Sequence, residues 1–282
     1  MPMTDEPLLP IRHVTSRRII AVRGTSLEIR DDRVVGEAPL EIRAAGPRQQ
    51  PVAVAVTMRT PGSEAELAVG FLRTEGLIGD GDVEGVDLGD PGTLARPDDT
   101  VIVRLRRAFD ASLVAERHFV ATASCGICGK ATLDEIAVRA DPLPPGPTVE
   151  RAVILGLPEA MRAAQRVFAA TGGLHAAGLF EPDGRLVALR EDVGRHNAVD
   201  KLVGWALLAG RTPLHDHLLL VSGRVSLEIV QKAAVAGIPV VCAVSAPSDL
   251  AVEAATRFGQ TLVCFLRGDG FNIYTDRERI RL

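Results

Sequence analysis

Apolar positions in this chain follow two rhythms. Between residues 17 and 60 they fall in short runs rich in Val and Ile, namely Arg18–Val22, Leu27–Arg30, Leu40–Arg43 and Val52–Met58. Each run is bounded by turn residues, and the pattern predicts strands. From Ser63 to about Leu72 the period lengthens. Leu67, Gly70 and Phe71 share one helical face, and Ser63 with Glu66 matches a capping box. A Gly/Asp-rich stretch over 80–99 surrounds one short strand, and Val101–Arg106 is another, which completes a small α+β unit. Thr132 and Glu135 repeat the capping-box spacing, so a helix is expected over Leu133–Arg139. The run Asp141-Pro142-Leu143-Pro144-Pro145-Gly146-Pro147 cannot continue it and reads as a linker, dividing residues 1–145 from 146–282.

The second half alternates more regularly. A helix is expected over Glu159–Ala170, then a hairpin of Leu174–Phe180 and Arg185–Arg190 across Pro182-Asp183-Gly184. Helices over Asn197–Leu208, Val225–Ala236 and Leu250–Phe258 then interleave with apolar strands at Leu218–Val221, Val240–Val244 and Leu262–Leu266, and Phe271–Thr275 closes the series. Continuous apolar strands between helices imply an α/β architecture with a parallel sheet covered on both faces.

Ligands of such sheets bind beyond the carboxyl ends of the strands. Here those ends carry Ser222-Gly223-Arg224, Ser245-Ala246-Pro247-Ser248 and Arg267-Gly268-Asp269-Gly270. The first two lead into helix N-termini, whose free N–H groups attract phosphate. A polar cluster, Arg190-Glu191-Asp192-Val193-Gly194-Arg195-His196-Asn197, sits at another strand-to-helix junction. Together these loops suit a phosphorylated, nucleotide-like ligand. No Walker A or GxGxxG motif follows a strand, so the usual ATP and dinucleotide modes are not indicated. The plainer reading of the same residues is a solvated turn with helix caps, for which Asp192, Asn197, Ser222 and Ser248 are all suited.

Composition narrows the class. The 282 residues are 46% hydrophobic and 24% charged with a net charge of −4, which favours a packed globule and gives no electrostatic case for nucleic acid. No signal peptide or membrane-length apolar run is seen, so a cytoplasmic setting without a membrane partner is expected. Four cysteines in this length do not make a disulfide scaffold. Two of them form Cys125-Gly126-Ile127-Cys128, followed by Gly129, Lys130 and a helix start, a setting that favours the nucleophilic thiolate. The pair also fits half of a structural zinc site, which needs two further ligands, or a thioredoxin-like redox pair. Cys242 and Cys264 stand alone in apolar strands and read as core thiols. His175 reads as a core residue, and His215 and His217 as incidental.

Eight segments, taken in order, resemble one family. They are Met58–Gly62, Gly70–Gly76, Ser124–Lys130, Thr171–Ala177, Glu191–Asn197, Ser222–Arg224 with Gln231–Ala234, Val244–Pro247 and Phe265–Tyr274. The family is that of the formate dehydrogenase accessory sulfurtransferases, FdhD/NarQ. The resemblance implies a C-terminal three-layer mixed sheet like the cytidine deaminase fold beside a smaller N-terminal α+β domain. The deaminase chemistry is not expected with it. A zinc deaminase needs His-x-Glu and Pro-Cys-x-x-Cys. This chain has His175-Ala176-Ala177 and no proline before Cys125.

The resemblance further implies that sulfur moves from a cysteine desulfurase to the molybdenum cofactor of formate dehydrogenase, bis-molybdopterin guanine dinucleotide. Cys125 then bears the persulfide, and Cys128 relays the sulfur or resolves the intermediate. Phe265, Leu266, Arg267, Gly268, Asp269 and Gly270 match the family's cofactor-binding stretch. Arg195, His196, Ser222 and Arg224 join them on the reading of the sheet edge, where a GDP-like nucleotide is expected to fit. A homodimer is implied as well. The alternative is a chaperone that only holds the cofactor or docks on formate dehydrogenase, and for it both cysteines are dispensable.

Overall fold

The computed structural model describes residues 14–89, 99–115 and 142–282. The cysteine pair, Lys130 and the helix expected over 133–139 lie outside the described residues. The N-terminal part contains β1 (Val14–Arg23), β2 (Ser26–Val35), β3 (Ala38–Ala45), β4 (Val52–Arg59), α1 (Glu64–Thr74), β5 (Val83–Leu88), β6 (Thr100–Leu105) and α2 (Ser112–Ala115). β1 and β2 pair as an antiparallel ribbon. The next four strands form a sheet in the order β4-β3-β6-β5. Alternate residues of β3 and β6, Leu40, Ile42, Val101 and Val103, meet Leu67, Ala68 and Leu72 of α1 in one core. The strand period of two and the helix period of 3.6 each turn one apolar face to that core.

The capping box expected at the start of α1 does not form. Ser63 lies in the left-handed region at φ 59°, and its side chain makes no cap bond. Glu66 instead accepts two hydrogen bonds from the Arg190 guanidinium, at 2.6 and 2.7 Å. A bidentate charged pair of this kind is stronger than a neutral cap bond.

The C-terminal part contains β7 (Val149–Glu150), α3 (Arg151–Ala164), α4 (Arg166–Thr171), β8 (His175–Phe180), β9 (Leu186–Asp192), α5 (Arg195–Leu208), β10 (Leu218–Val221), α6 (Leu227–Val235), β11 (Val240–Ala243), α7 (Asp249–Phe258), β12 (Thr261–Arg267), β13 (Gly270–Thr275) and β14 (Ile280–Arg281). The helix expected over Glu159–Ala170 therefore begins earlier, runs through Pro158 and breaks at Gln165, where ψ is 79°. Ile154, Leu157 and Met161 bury one face of α3 against the sheet, and that burial carries the helix past its proline.

The six-stranded sheet has the order β13-β12-β11-β10-β8-β9. Only β10, β11 and β12 run parallel, while β8, β9 and β13 join antiparallel. The sheet is thus mixed, as the resemblance implied, and not parallel throughout as its apolar strands alone suggested, because short turns before β9 and β13 enforce antiparallel pairing. α5, α6 and α7 cover one face and α3 the other, so β10 and β11 are buried throughout. Cys242 and Cys264 are fully buried. Burial pushes both thiols up, Cys264 to about 12 and Cys242 also well above its ordinary value. Both are inert thiols by this measure.

The proline-rich stretch lies along the C-terminal part. Leu143 donates from its backbone N to Phe258 O at 2.9 Å. Arg279 donates to Pro144 O at 3.2 Å. β7 then pairs in parallel with β14.

The two sheets meet where α1 crosses α5. A Cβ on Gly70 would stand 1.8 Å from Asp200 O, and one on Gly204 1.8 Å from Glu66 O, so the helix backbones touch. Buried polar groups flank this crossing. Lys232 donates to Thr74 Oγ1 at 2.9 Å, Glu75 Oε1 at 3.0 Å and Asp200 Oδ1 at 2.9 Å. Burial works against the Lys232 ammonium, but Asp200 and Glu75 outweigh it and raise its pKa above the usual lysine value. Among the described residues, no helix is long and apolar enough to cross a membrane.

Candidate functional site

The carboxyl ends of β10, β11 and β12 form one edge of the sheet. β8 starts and β9 ends at the same edge, because both run antiparallel to their neighbours. This places the predicted loops together, but their polar residues divide into two groups.

The first group is structural. Asp192 is fully buried, and its carboxylate accepts from Thr60 N at 3.1 Å, Gly194 N at 2.8 Å and Asn197 Nδ2 at 3.0 Å. It also pairs with Lys201 Nζ at 2.7 Å. Asn197 donates to Met58 O at 2.8 Å, and Lys201 to Thr60 O at 2.9 Å. Arg190 is held by Glu66, as described above. The Glu191 carboxylate accepts from Val167 N at 3.0 Å and Phe168 N at 2.8 Å, capping α4. Of the eight-residue polar cluster, Arg190, Glu191, Asp192 and Asn197 are thus occupied in joining the two sheets and fixing α4. They do not face a ligand as the sequence suggested.

The second group is open. Arg195 starts α5, and its Nε is buried without a partner among the described residues. His196 Nε2 lies 2.6 Å from Glu228 Oε2 and 3.1 Å from Ser226 Oγ, at the first turn of α6. Burial alone would raise the Glu228 pKa. The hydrogen bond and charge of His196, with Lys232 and Arg195, instead hold that carboxyl below its usual range. Arg224 is exposed. Ser222 Oγ accepts from Ala176 N at 2.9 Å, which joins the loop after β10 to the start of β8. Ser248 is an ordinary cap, accepting from Ala251 N at 3.3 Å.

His175 is not the core residue its strand suggested. It is half-buried at the entry to β8, beside Gly223, where an added Cβ would stand 3.1 Å from its Nδ1. Burial pulls its pKa down, and the charges of Arg195, His196 and Arg224 pull the same way against Asp192. The imidazole is therefore neutral at neutral pH, in a cationic neighbourhood suited to anions.

His175 and Ser222 line a cavity of about 560 Å³. Its other walls come from the end of α3, from α4 and from the loop before β8, including Met161, Gln165, Phe168 and Leu174. The volume is in the usual range for small-molecule sites. None of these helical residues was singled out from sequence. The visible signal was Gly172-Gly173-Leu174-His175, a side-chain-free turn leading into a strand.

The stretch from Phe265 to Gly270 closes β12 and turns into β13. Phe265 has φ 54°, a left-handed conformation rare for an aromatic residue, and donates from its backbone N to Ser245 O at 3.1 Å. Arg267 lies 5.6 Å over its ring. Leu266 is fully buried, whereas Arg267, Gly268, Asp269 and Gly270 are exposed. Leu266 therefore anchors the stretch in the core, and Gly268 at φ 60° makes the exposed turn. Cys125 and Cys128 lie outside the described residues.

With this geometry in view, comparison with known proteins is informative. The FdhD/NarQ family model matches residues 35–281. The sulfur carrier protein FdhD of Streptomyces avermitilis is 49% identical over 278 residues, covering 95% of this chain and 96% of the relative. That of Nocardia farcinica is 48% identical over 278 residues, covering 95% of each chain. A crystal structure described as a formate dehydrogenase accessory protein from Desulfotalea psychrophila has a TM-score of 0.72 at 24% identity, covering 95% of this chain and all of that one. At that identity it speaks to the fold alone.

Proposed function

The chain belongs to the FdhD/NarQ family, and from this premise we propose that it is a sulfur carrier that serves formate dehydrogenase. A Cys125 thiolate attacks the outer sulfur of a persulfide on a cysteine desulfurase. The donor's S–S bond breaks, its cysteine leaves as thiolate, and Cys125 now carries the persulfide. Cys128 either takes the sulfur next, leaving Cys125 as thiolate, or attacks the inner sulfur of the Cys125 persulfide. In both cases closure of the Cys125–Cys128 disulfide supplies the two electrons that release the outer sulfur as sulfide. The sulfur passes to the molybdenum of bis-molybdopterin guanine dinucleotide, which is the substrate here.

The observation that carries this reading is the match over almost the whole chain to relatives named sulfur carrier proteins, combined with an intact Cys-Gly-Ile-Cys. The sheet edge supports it. The guanidinium groups of Arg195 and Arg224 are suited to phosphate, and the N-terminus of α6 adds N–H groups. The turn from Arg267 to Gly270 offers exposed backbone at the same edge. We read the C-terminal layers as the cytidine deaminase architecture with its zinc chemistry replaced, and the functional unit as a cytoplasmic homodimer.

Intact-mass spectrometry after incubation with a desulfurase and cysteine tests the proposal. A gain of one sulfur that disappears in Cys125→Ala is expected. Undiminished labelling of that variant rejects the assigned role. Full maturation of formate dehydrogenase by a variant lacking both thiols favours the chaperone reading.

A further inference from the structure

Strands β1 and β2 form an arm of their own. They pair with one another over their whole length, in a two-stranded sheet that joins neither of the larger ones. Val35, at the base of the arm, lies 3.5 Å from where a Cβ on Gly173 would stand, and β2 packs on α4. At about 3.4 Å per residue, ten-residue strands make the arm roughly 34 Å long. A ribbon of two strands is marginal in water unless one of its faces is covered.

Register sorts the arm's side chains, because residues directly opposite in an antiparallel pair share a face. Ile20 pairs with Ile29 and Val22 with Leu27, so all four lie on one face near the Gly24-Thr25 turn. In that order they are 66, 63, 65 and 74% exposed, and they belong to none of the three apolar cores. The opposite face carries Arg17, Arg23, Glu28, Arg30 and Asp32. The arm is thus amphipathic, and its apolar face is in water.

The next row toward the base of that face selects the occupant. Arg18 stands opposite Asp31 in the register. Both are exposed, and no hydrogen bond or ion pair engages either of them among the described residues. A lipid surface would cover the four apolar side chains and leave one charge of each sign unmatched. A second copy of the chain matches both. A two-fold axis along the arm sets β1 of one copy over β2 of the other. Ile20 then faces Ile29, Val22 faces Leu27 and Arg18 faces Asp31, each twice, as a self-complementary contact requires. Four such side chains make an apolar patch of roughly a few hundred Å², the size that marks an interaction site. A standard interface takes about 800 Å² from each partner. The arms therefore form the apolar centre of a contact that neighbouring surfaces complete.

We infer that the β1–β2 arm is the surface by which two copies of this chain associate, with Ile20, Val22, Leu27 and Ile29 at its centre and Arg18 paired to Asp31 across it. The inference rests on the homodimer reading above and assigns its interface.

Sedimentation equilibrium of the full chain over a concentration series tests it, with circular dichroism to confirm folding of each variant. The wild type should reach the mass of two copies. Ile20→Asp and Leu27→Asp each bury a carboxylate where apolar contact is lost, and each should raise the dimer Kd about a hundredfold. Arg18→Asp and Asp31→Arg each set like charges against one another across the contact, and each alone should weaken association about tenfold. An equimolar mixture of these two variants should regain the wild-type affinity, because each copy offers the charge the other needs. A role confined to a single arm gives no such recovery on mixing.

Folded Ile20→Asp and Leu27→Asp that associate as the wild type does overturn the inference and leave the homodimer reading standing. A mixture no tighter than its components overturns the pairing of Arg18 with Asp31. A wild type that stays monomeric and sediments with phosphatidylglycerol vesicles gives the face to a lipid surface, and a wild type that stays monomeric without them leaves it unoccupied. In either case both the inference and the homodimer reading fail.

Discussion

The seam between the two sheets and the cavity at the strand ends both keep polar side chains away from water, and they use them in opposite ways. In the seam the bonds close on one another. Lys232 has three acceptors for its three protons, and the two oxygens of Asp192 accept from Thr60, Gly194, Asn197 and Lys201. In the cavity, Gln165 Nε2 is left open, and Arg195 Nε at the adjoining loop is open too. Buried ion pairs add little net stability over apolar packing, but a partner left alone is costly. A closed network therefore fixes one placement of the N-terminal sheet against the C-terminal one. A donor left without a partner holds nothing together and costs stability instead. Charged residues next to one another in sequence, from Arg190 to Asn197, divide between the two tasks.

Breaking the seam should produce the largest effects. Gly204→Val forces a side chain into the Glu66 carbonyl, so the helices must part and the stability loss should exceed about 4 kcal/mol. Urea denaturation measures it, and a loss below about 0.5 kcal/mol, the usual range of surface changes, would show that the backbones are free to separate. Lys232→Met leaves Asp200 and Glu75 facing each other without their cation and should cost about 3 kcal/mol. Adding Asp200→Leu should recover much of that loss in the same assay, because the uncompensated charge is then gone. Equal stability of the single and double variants would remove the ion network from the account.

Strands such as Leu218–Val221 and Val240–Ala243 were legible because burial on both faces leaves an unbroken apolar run. Their parallel arrangement was overextended to the whole sheet, since apolar content does not reveal strand direction. The ribbon of β1 and β2 was legible as strands, although its length was not. The start of α3 was hidden by Pro158, and the break at Gln165 was hidden because glutamine is a good helix former. The gathering of the polar loops at one sheet edge followed from topology. The cavity wall did not, because it comes from α3 and α4, which precede the motif-bearing loops and carry no motif of their own. The role of Glu191 depends on an N-terminus 23 residues earlier in the chain and required the structure.

At the cavity the comparison can be sharpened with smaller changes. Glu191→Ala removes the cap of α4 and should cost about 1 kcal/mol in urea denaturation, the ordinary worth of a cap. It also frees the N–H groups of Val167 and Phe168 at the start of α4. A loss well below about 0.5 kcal/mol would show that Glu191 does not hold this helix.

The smallest effect expected is a pH dependence that distinguishes the two regions. The raised pKa of Lys232 means that its contribution is present below the unfolded lysine value of about 10.4 and is lost only as pH rises through the still higher folded value. The Lys232 contribution should therefore stay constant between about pH 5 and 8. His175 has the opposite sign. Its folded pKa is lowered by burial and by neighbouring cations, so below about 6.5 the unfolded chain takes up a proton that the folded chain resists. Stability should rise with pH up to that value and then level off. His217, lowered by burial as well, contributes to the same slope. Urea midpoints of the wild type and His175→Gln at several pH values isolate the His175 share, and the variant should show a shallower acid slope. Identical slopes would mean that His175 takes up a proton as readily in the folded chain as in the unfolded one, and the neutral imidazole assigned to the cavity wall would have to be abandoned.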